Sequence, residues 1–209
     1  MLSELLTVFV PLLVVVDPPA SVGLFLGLTP DRTRAERIRI AIKAATFAAG
    51  VLALFAAAGR ILLEYLGIEI YALQIAGGLL LVMIGLRMLR EGREIPRREL
   101  REVHLPTGGA HDPDDEEGDP SFVPLGLPML AGPGAISLVI VQSTNIGLSL
   151  VGISIAIVMT LTALFLMAAA RMQKLLGDTG TRVITRIMGI LTVAFAVQYV
   201  LDGLDGWMA

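Results

Sequence analysis

The sequence contains no cysteine and few charged residues. Of its 209 residues, 17% are charged and 55% are hydrophobic, and the mean hydropathy is +0.78. The absence of cysteine excludes a disulfide framework, a thiolate metal site and a catalytic cysteine. The low charge excludes a cytosolic globular domain, because soluble domains carry about 25% charged residues. The composition therefore indicates a chain that lies mostly within a lipid bilayer.

Long apolar runs divide the chain into six predicted transmembrane helices. A spanning helix needs about 20 apolar residues, and runs of this kind lie at 2–28, 38–62, 70–89, 122–142, 146–170 and 183–204. The first run has Glu4 in place of a basic amino-terminal region and no convincing cleavage site before Asp17, so we interpret it as a retained span. The sequence thus predicts an all-α membrane protein.

Basic residues are concentrated in alternate connections between the predicted spans. All but Arg60 of the 16 Lys and Arg residues lie around the connections that follow the first, third and fifth spans. Because basic residues accumulate in cytoplasmic loops, we expect a multi-pass protein with both termini outside, which in a bacterium means the inner membrane and the periplasm. The same rule explains these residues without a nucleic-acid partner, and we expect none.

A charged linker, 92–121, separates two units of three spans, 1–91 and 122–209. Blocks of like charge are usually solvated linkers, and we interpret this segment as a cytoplasmic one. A metal site built from its histidines and acids is the minor alternative, and we expect no metal and no cofactor. The residues concerned are His104, His111, Asp112, Asp114, Asp115, Glu116, Glu117 and Asp119.

Each three-span unit begins with a span that proline interrupts near its middle. The first break, at 17–20, reads DPPA, and the second, at 132–135, reads GPGA. Each unit also ends with a glycine-bearing span at a similar distance from its break. Because three is odd, the second unit enters the membrane from the opposite side. We predict a 3+3 inverted repeat with broken first and fourth spans, which is typical of secondary transporters with sites near the midplane. Two unrelated proline kinks are the alternative.

The two breaks have opposite chemical character. Asp17 is the only carboxylate deep within a span, about 20 Å along the helix at about 1.5 Å per residue, where an ionisable side chain is usually functional. It also fits a helix N-cap followed by proline. This end favours an ammonium group, a proton or Na⁺, whereas the N–H groups of Gly134 and Ala135 lie at the positive end of a helix dipole and favour an anion. Together the breaks predict a site for a small zwitterion, with a proton or Na⁺ as coupling ion.

A few other polar residues are candidates to line this site. Ser137 lies one helical turn beyond Gly134, and we expect Gln74 and, more weakly, Gln198 to face the same space. The glycines on the neighbouring helical stripes are better explained by close helix packing. The predicted substrate-binding residues are Asp17, Pro18, Ala20, Gln74, Gly132, Pro133, Gly134, Ala135 and Ser137.

Four stretches make the sequence similar to the MarC family of integral membrane proteins. They read DPPASVGLFLGLTP, LGIEIYALQIAGGLLLVMIGLRML, FVPLGLPMLAGPGAIS and MGILTVAFAVQYVLDG, and the resemblance covers all six spans. Family members usually have Asn or Asp, Pro, one residue and Gly at the first break and a proline three residues later, where this chain has Ala20 and Gly23. The resemblance implies an inner-membrane permease or exporter for small neutral amino acids such as alanine or glycine.

Other functions fit the sequence less well. A small-cation permease would use Asp17 alone, but no second deep acid accompanies it. A non-transport membrane factor or an intramembrane enzyme is a further alternative. No HExxH, GxSxG or Ser/Lys dyad occurs in the sequence, so we expect no enzyme. The expected partners are the lipid bilayer and a small zwitterion, and homo-oligomerisation is left open.

Overall fold

The computed structural model describes residues 2–30, 32–91 and 125–208, and within these ranges the chain is helical and contains no β-strand. A helical run at Leu148–Met208 is interrupted at Gly177, whose φ of 62° and ψ of −178° are not helical, and it divides there into two helices. The elements are α1 (Leu2–Val16), α2 (Pro18–Leu28), α3 (Arg34–Leu66), α4 (Ile70–Glu91), a π-helical turn (Leu125–Leu130) in which Leu127 is extended, α5 (Pro133–Asn145), α6 (Leu148–Met172) and α7 (Thr179–Met208).

Five helical segments of the described residues are long and apolar enough to cross a membrane. They are Leu2–Leu28, Arg34–Leu66, Ile70–Arg90, Leu148–Met172 and Thr179–Met208. The predicted fourth span, 122–142, corresponds to the π-helical turn and the 13-residue α5, with Gly132 extended between them. Residues 122–124 lie outside the described ranges, so the six-span arrangement stays a prediction.

A tightly bonded turn joins α2 to α3. Thr33 caps α3 with its side chain on the N–H of Glu36, and the Glu36 carboxylate accepts the N–H of Thr33 at 2.7 Å, which forms a capping box. The Arg37 guanidinium reaches back and donates to the carbonyl of Thr29 at 2.7 Å and to that of Pro30 at 3.1 Å. Carbonyl groups at the end of α2 are thereby satisfied, and these bonds hold the end of α2 against the start of α3.

Helices α4 and α7 pack closely because glycines face each other across their interface. A Cβ added at Gly78 would lie 3.0 Å from the carbonyl oxygen of Ala196, and one at Gly85 would lie 3.0 Å from that of Gly189. Glycines at such positions let two helix backbones approach within the membrane. The glycine stripes therefore have the packing role expected from their spacing.

Helix α5 lies in the groove between α3 and α4. The Ile140 side chain fills the space beside Gly59 of α3, and Ser137 lies against Gly77 of α4. Nearer the second break, a Cβ at Gly134 would lie 2.7 Å from Cγ of Leu81. Glycines on α3, α4 and α5 thus allow α5 to pack closely against the other two helices.

The outer surface of the helices is strongly apolar. Leu54 of α3 is 64% exposed and Met83 of α4 is 63% exposed, and many further large apolar side chains lie on outward faces. A water-soluble monomer does not expose a continuous apolar surface of this kind. These faces are suited to contact with lipid tails.

The charged linker falls in a part of the chain that the structure does not describe. His104, His111 and the acidic run 112–119 lie there, and so does the boundary drawn at 92–121. The division into 1–91, 92–121 and 122–209 stays a prediction.

Candidate functional site

The first break is built around Asp17, which separates α1 from α2. Asp17 caps α2, because its Oδ1 accepts the N–H of Ala20 at 3.3 Å, and Pro18 begins the helix. The carboxyl group is buried with 3% of the residue exposed, and its second oxygen, Oδ2, accepts no hydrogen bond from the described part of the chain. Asp17 therefore acts as a helix cap and also keeps one buried oxygen available.

The backbone of Asp17 is unusual for its position. Its φ of 46° and ψ of 66° are left-handed, and it is the only non-glycine residue with positive φ in the described ranges. An N-cap normally has extended backbone, and a following proline favours that conformation as well. Asp and Asn tolerate the left-handed region better than most residues, which explains why this residue type can occupy the break.

The second break exposes the beginning of α5 without a side-chain cap. Gly132 is extended, with φ of −73° and ψ of 166°, and no side chain bonds the first turn there. The first backbone bond of this helix runs from the N–H of Ile136 to the carbonyl of Gly132 at 2.9 Å. Pro133 has no N–H, so the free donors at this helix end are those of Gly134 and Ala135, both of which are buried.

The two interrupted segments lie side by side, and the first half of each one contacts the second half of the other. Helix α1 contacts α5, and α2 contacts the π-helical turn. One apolar cluster also joins residues that flank the two breaks, including Val16 on the first and Leu130, Ala131 and Ala135 on the second. The capped carboxylate and the uncapped helix end therefore belong to the same core.

Ser137 and Gln74 lie between α4, α5 and α7. The Ser137 hydroxyl donates to the carbonyl of Leu73 at 3.0 Å, next to Gln74 in the chain. Gln74 is buried, and its side-chain stem lies 3.4 Å from a Cβ placed on Gly203 of α7. Pro18 and Ala20 are buried in the first turn of α2. The structure thus groups Ser137 with Gln74, and Asp17 with Pro18 and Ala20.

One polar residue lies elsewhere than expected. The structure corrects the prediction for Gln198, which lies on an exposed face of α7 and donates its amide to Asp202 at 2.6 Å. A helix turns about 100° per residue, so the neighbouring position, Tyr199, faces the helix interface instead. Tyr199 is buried against Gly77.

Tyr199 was missed by the sequence analysis although a signal for it was present. Along α7, small and polar residues recur every three or four positions, at Thr185, Gly189, Thr192 and Ala196. The next step of this stripe is Tyr199. Its hydroxyl and that of Thr192 are buried without a hydrogen-bond partner among the described residues.

No group of three or more metal-binding side chains occurs within the described ranges.

The long apolar helices, the lipid-suited outer surface and the buried carboxylate at a helix break define a polytopic α-helical membrane protein. The model of the MarC family of integral membrane proteins matches residues 2–208. The chain belongs to the MarC family, and the resemblance seen in the sequence is confirmed.

Relatives occur in bacteria and in an archaeon. The membrane protein YvbG of Bacillus subtilis is 36% identical over 99% of this chain and 96% of its own length. The membrane protein MJ1677 of Methanocaldococcus jannaschii is 33% identical over 92% of this chain and 91% of its own. The inner membrane protein MarC of Escherichia coli is 30% identical over 93% of this chain and 91% of its own. No solved structure matches the chain.

Proposed function

We propose that this protein is an inner-membrane secondary transporter, a permease or exporter, for small neutral amino acids such as alanine or glycine. In this proposal six spans form a 3+3 inverted repeat with both termini outside, and the substrate binds between the two helix breaks. A proton or Na⁺ is the coupling ion. The name of the Escherichia coli relative supports the inner-membrane location, while the relatives' names give no substrate.

The observation that carries the proposal is the buried Oδ2 of Asp17. A carboxylate in an apolar interior is unfavourable unless it is paired, protonated or in contact with a ligand. The fold uses Oδ1 for the cap and leaves Oδ2 without a donor in the described residues. An ammonium group or a coupling cation at Oδ2 would satisfy this oxygen with a charge-assisted hydrogen bond.

The opposite end of the substrate is assigned to the beginning of α5. The N–H groups of Gly134 and Ala135 have no acceptor within their helix, and the helix dipole makes this end favourable for a carboxylate. An α-amino acid carries both an ammonium and a carboxylate on neighbouring carbons. Two ends of this kind within one core fit a zwitterion better than an ion of either sign.

The reverse order of the interrupted segments supports an inverted repeat. Two broken spans that enter the membrane from opposite sides place the first half of one beside the second half of the other, and α1 contacts α5 while α2 contacts the π-helical turn. In transporters of this design the site lies where the broken helices meet. Small side chains near the breaks, such as Ala20 and Ala135, favour a small substrate.

A second function, a small-cation permease, is favoured by the fact that Asp17 is the only buried carboxylate among the described residues. It would need no anion-binding end. The two functions differ in whether alanine itself moves, and not in whether Asp17 is required.

Counterflow of labelled alanine in proteoliposomes tests the proposal. We expect unlabelled internal alanine or glycine to drive uptake of labelled alanine in the parent protein, and a pH or Na⁺ gradient to increase it. Asp17→Asn should abolish the coupled part, while Glu69→Gln, which neutralises an exposed carboxylate at the start of α4, should transport like the parent. Movement of Na⁺ or protons without alanine would favour the cation permease. If the proteoliposomes moved neither alanine, nor Na⁺, nor protons, the proposed transport function would be contradicted.

A further inference from the structure

Tyr199 has a buried hydroxyl group that forms no well-aligned hydrogen bond with the described residues. The residue is 4% exposed, and its hydroxyl has no hydrogen-bond partner within the described residues. A buried tyrosine hydroxyl normally has a partner, because leaving it unpaired costs free energy that a phenylalanine would not. The packing of this ring alone therefore does not explain why the residue is tyrosine.

The Tyr199 ring has a fixed place between three helices. It stacks on Phe195, one turn earlier in α7, with ring centroids 5.5 Å apart and an interplanar angle of 23°. Its edge lies 3.7 Å from a Cβ built on Gly77 of α4, where Ser137 of α5 also lies. A larger residue at position 77 would separate these side chains, so Gly77 allows Tyr199 and Ser137 to lie side by side.

The Ser137 hydroxyl is not available to donate a hydrogen bond to a ligand. Its hydroxyl proton is committed to the carbonyl of Leu73 at 3.0 Å, so its oxygen can only accept a further hydrogen bond. The Tyr199 hydroxyl interacts with this oxygen but forms no well-aligned hydrogen bond with it. A carboxylate is a stronger acceptor than a hydroxyl oxygen, so a bound carboxylate next to the first turns of α5 would compete for the Tyr199 proton. The uncapped N–H groups of Gly134 and Ala135 begin the same helix one turn before Ser137.

We propose that the Tyr199 hydroxyl is a substrate-binding group that donates a hydrogen bond to the carboxylate of the bound amino acid. It completes the anion-binding end formed by the Gly134 and Ala135 N–H groups. A neutral hydroxyl donor is suited to this place because it binds a carboxylate without adding a positive charge that would repel the ammonium group. The assignment rests on the proposed transport function and adds a specificity-determining residue to it.

The other unpaired hydroxyl, that of Thr192, does not support a similar assignment. Thr160, Thr162, Thr181 and Thr185 all donate to the carbonyl four residues earlier in the chain. Thr192 can reach the same kind of acceptor by a rotation about its Cα–Cβ bond. The acceptor next to the Tyr199 hydroxyl is instead a side chain of another helix, the Ser137 oxygen of α5, for which a ligand carboxylate can substitute.

The variant Tyr199→Phe removes only the hydroxyl, and Tyr65→Phe is the matched control because Tyr65 is 90% exposed. Binding of L-alanine and of alaninamide, which lacks the carboxylate, is measured on the purified full-length protein in detergent, together with unfolding of the ligand-free protein. We expect Tyr199→Phe to be at least as stable as the parent without ligand. Its Kd for alanine should rise about tenfold, as expected for loss of a hydrogen bond to a charged group, and its Kd for alaninamide should not change. Tyr65→Phe should match the parent throughout.

Several results would overturn the assignment. An unchanged Kd for alanine, or an equal loss for alanine and alaninamide, would show that the hydroxyl does not bind the carboxylate. A loss of ligand-free stability in Tyr199→Phe would show that the hydroxyl has a partner within the protein. A parent protein that binds no amino acid would contradict the proposed function itself, and this result is distinguished from the others because it needs no variant.

Discussion

The close contact between α4 and α7 predicts that one methyl group at Gly78 destabilises the protein. In Gly78→Ala the new Cβ would lie 2.5 Å from Cγ2 of Val200, 3.0 Å from the carbonyl oxygen of Ala196 and 3.2 Å from the backbone N of Val200. Carbon atoms in favourable contact lie about 3.5–4.0 Å apart. The valine methyl can rotate away, but the two backbone atoms move only if the helices separate.

The magnitude follows from comparison with a glycine that has open space around it. Inserting a methyl group into a tightly packed interface costs about 1–3 kcal/mol. Gly50 of α3 is exposed, with no atom within 4 Å of an added Cβ, so Gly50→Ala should stabilise its helix by about 0.5–1 kcal/mol. The two variants should therefore differ by about 1.5–4 kcal/mol in the free energy of unfolding.

The assay is unfolding of the purified protein in mixed detergent micelles, followed by circular dichroism, for Gly78→Ala, Gly85→Ala and Gly50→Ala. Gly85 is a second test at the same interface, because its added Cβ would lie 2.6 Å from Cγ2 of Val193 and 3.0 Å from the carbonyl oxygen of Gly189. If both interface variants were as stable as Gly50→Ala, the reasoning about backbone approach between α4 and α7 would be refuted.

Three further predictions concern other parts of the chain. Gly134→Ala should destabilise the protein, because its Cβ would meet Cγ of Leu81 at 2.7 Å; the double variant with Leu81→Ala should lose less stability than the sum of the two single losses, and strictly additive unfolding free energies would argue against the contact. A reporter fused after Ala209 should be active only outside the cytoplasm, as the distribution of Lys and Arg requires, and activity restricted to the cytoplasm would reverse the topology. Replacing residues 112–119 by a neutral Gly/Ser stretch of equal length should leave alanine counterflow near the parent value, and its complete loss would favour a metal or partner site in the linker.

The sequence predicts those features that depend on local chemistry. The Asp17–Pro18 pair signals a cap and a helix start, and the structure has both, with Oδ1 on the N–H of Ala20. The glycine stripes of α4 and α7 signal close packing for the same reason, since a stripe is a property of one helix. These features need no knowledge of which helices are neighbours.

Features that depend on the pairing of distant helices could not be predicted. Gln198 and Tyr199 are adjacent in the sequence, and only the packing of α7 against α4 decides that Tyr199 is buried and Gln198 exposed. The bond from Ser137 to the Leu73 carbonyl joins residues far apart in the chain. The left-handed backbone of Asp17 also contradicts local preference, because both an N-cap and a residue before proline favour extended backbone.

The central claim is that Asp17 binds the ammonium group while the start of α5 binds the carboxylate. Asp17→Asn is the suitable variant, because asparagine retains the cap and tolerates the left-handed backbone while it removes the charge. The decisive measurement is the competition of alaninamide and propionate, which lack the carboxylate and the ammonium respectively, with labelled alanine for the parent and for Asp17→Asn. We predict that the preference for alanine over propionate falls about tenfold or more in Asp17→Asn, as a charge-assisted hydrogen bond would require, while the preference over alaninamide is kept. If a folded Asp17→Asn lost both preferences by the same factor, or neither, the two-ended site would be contradicted.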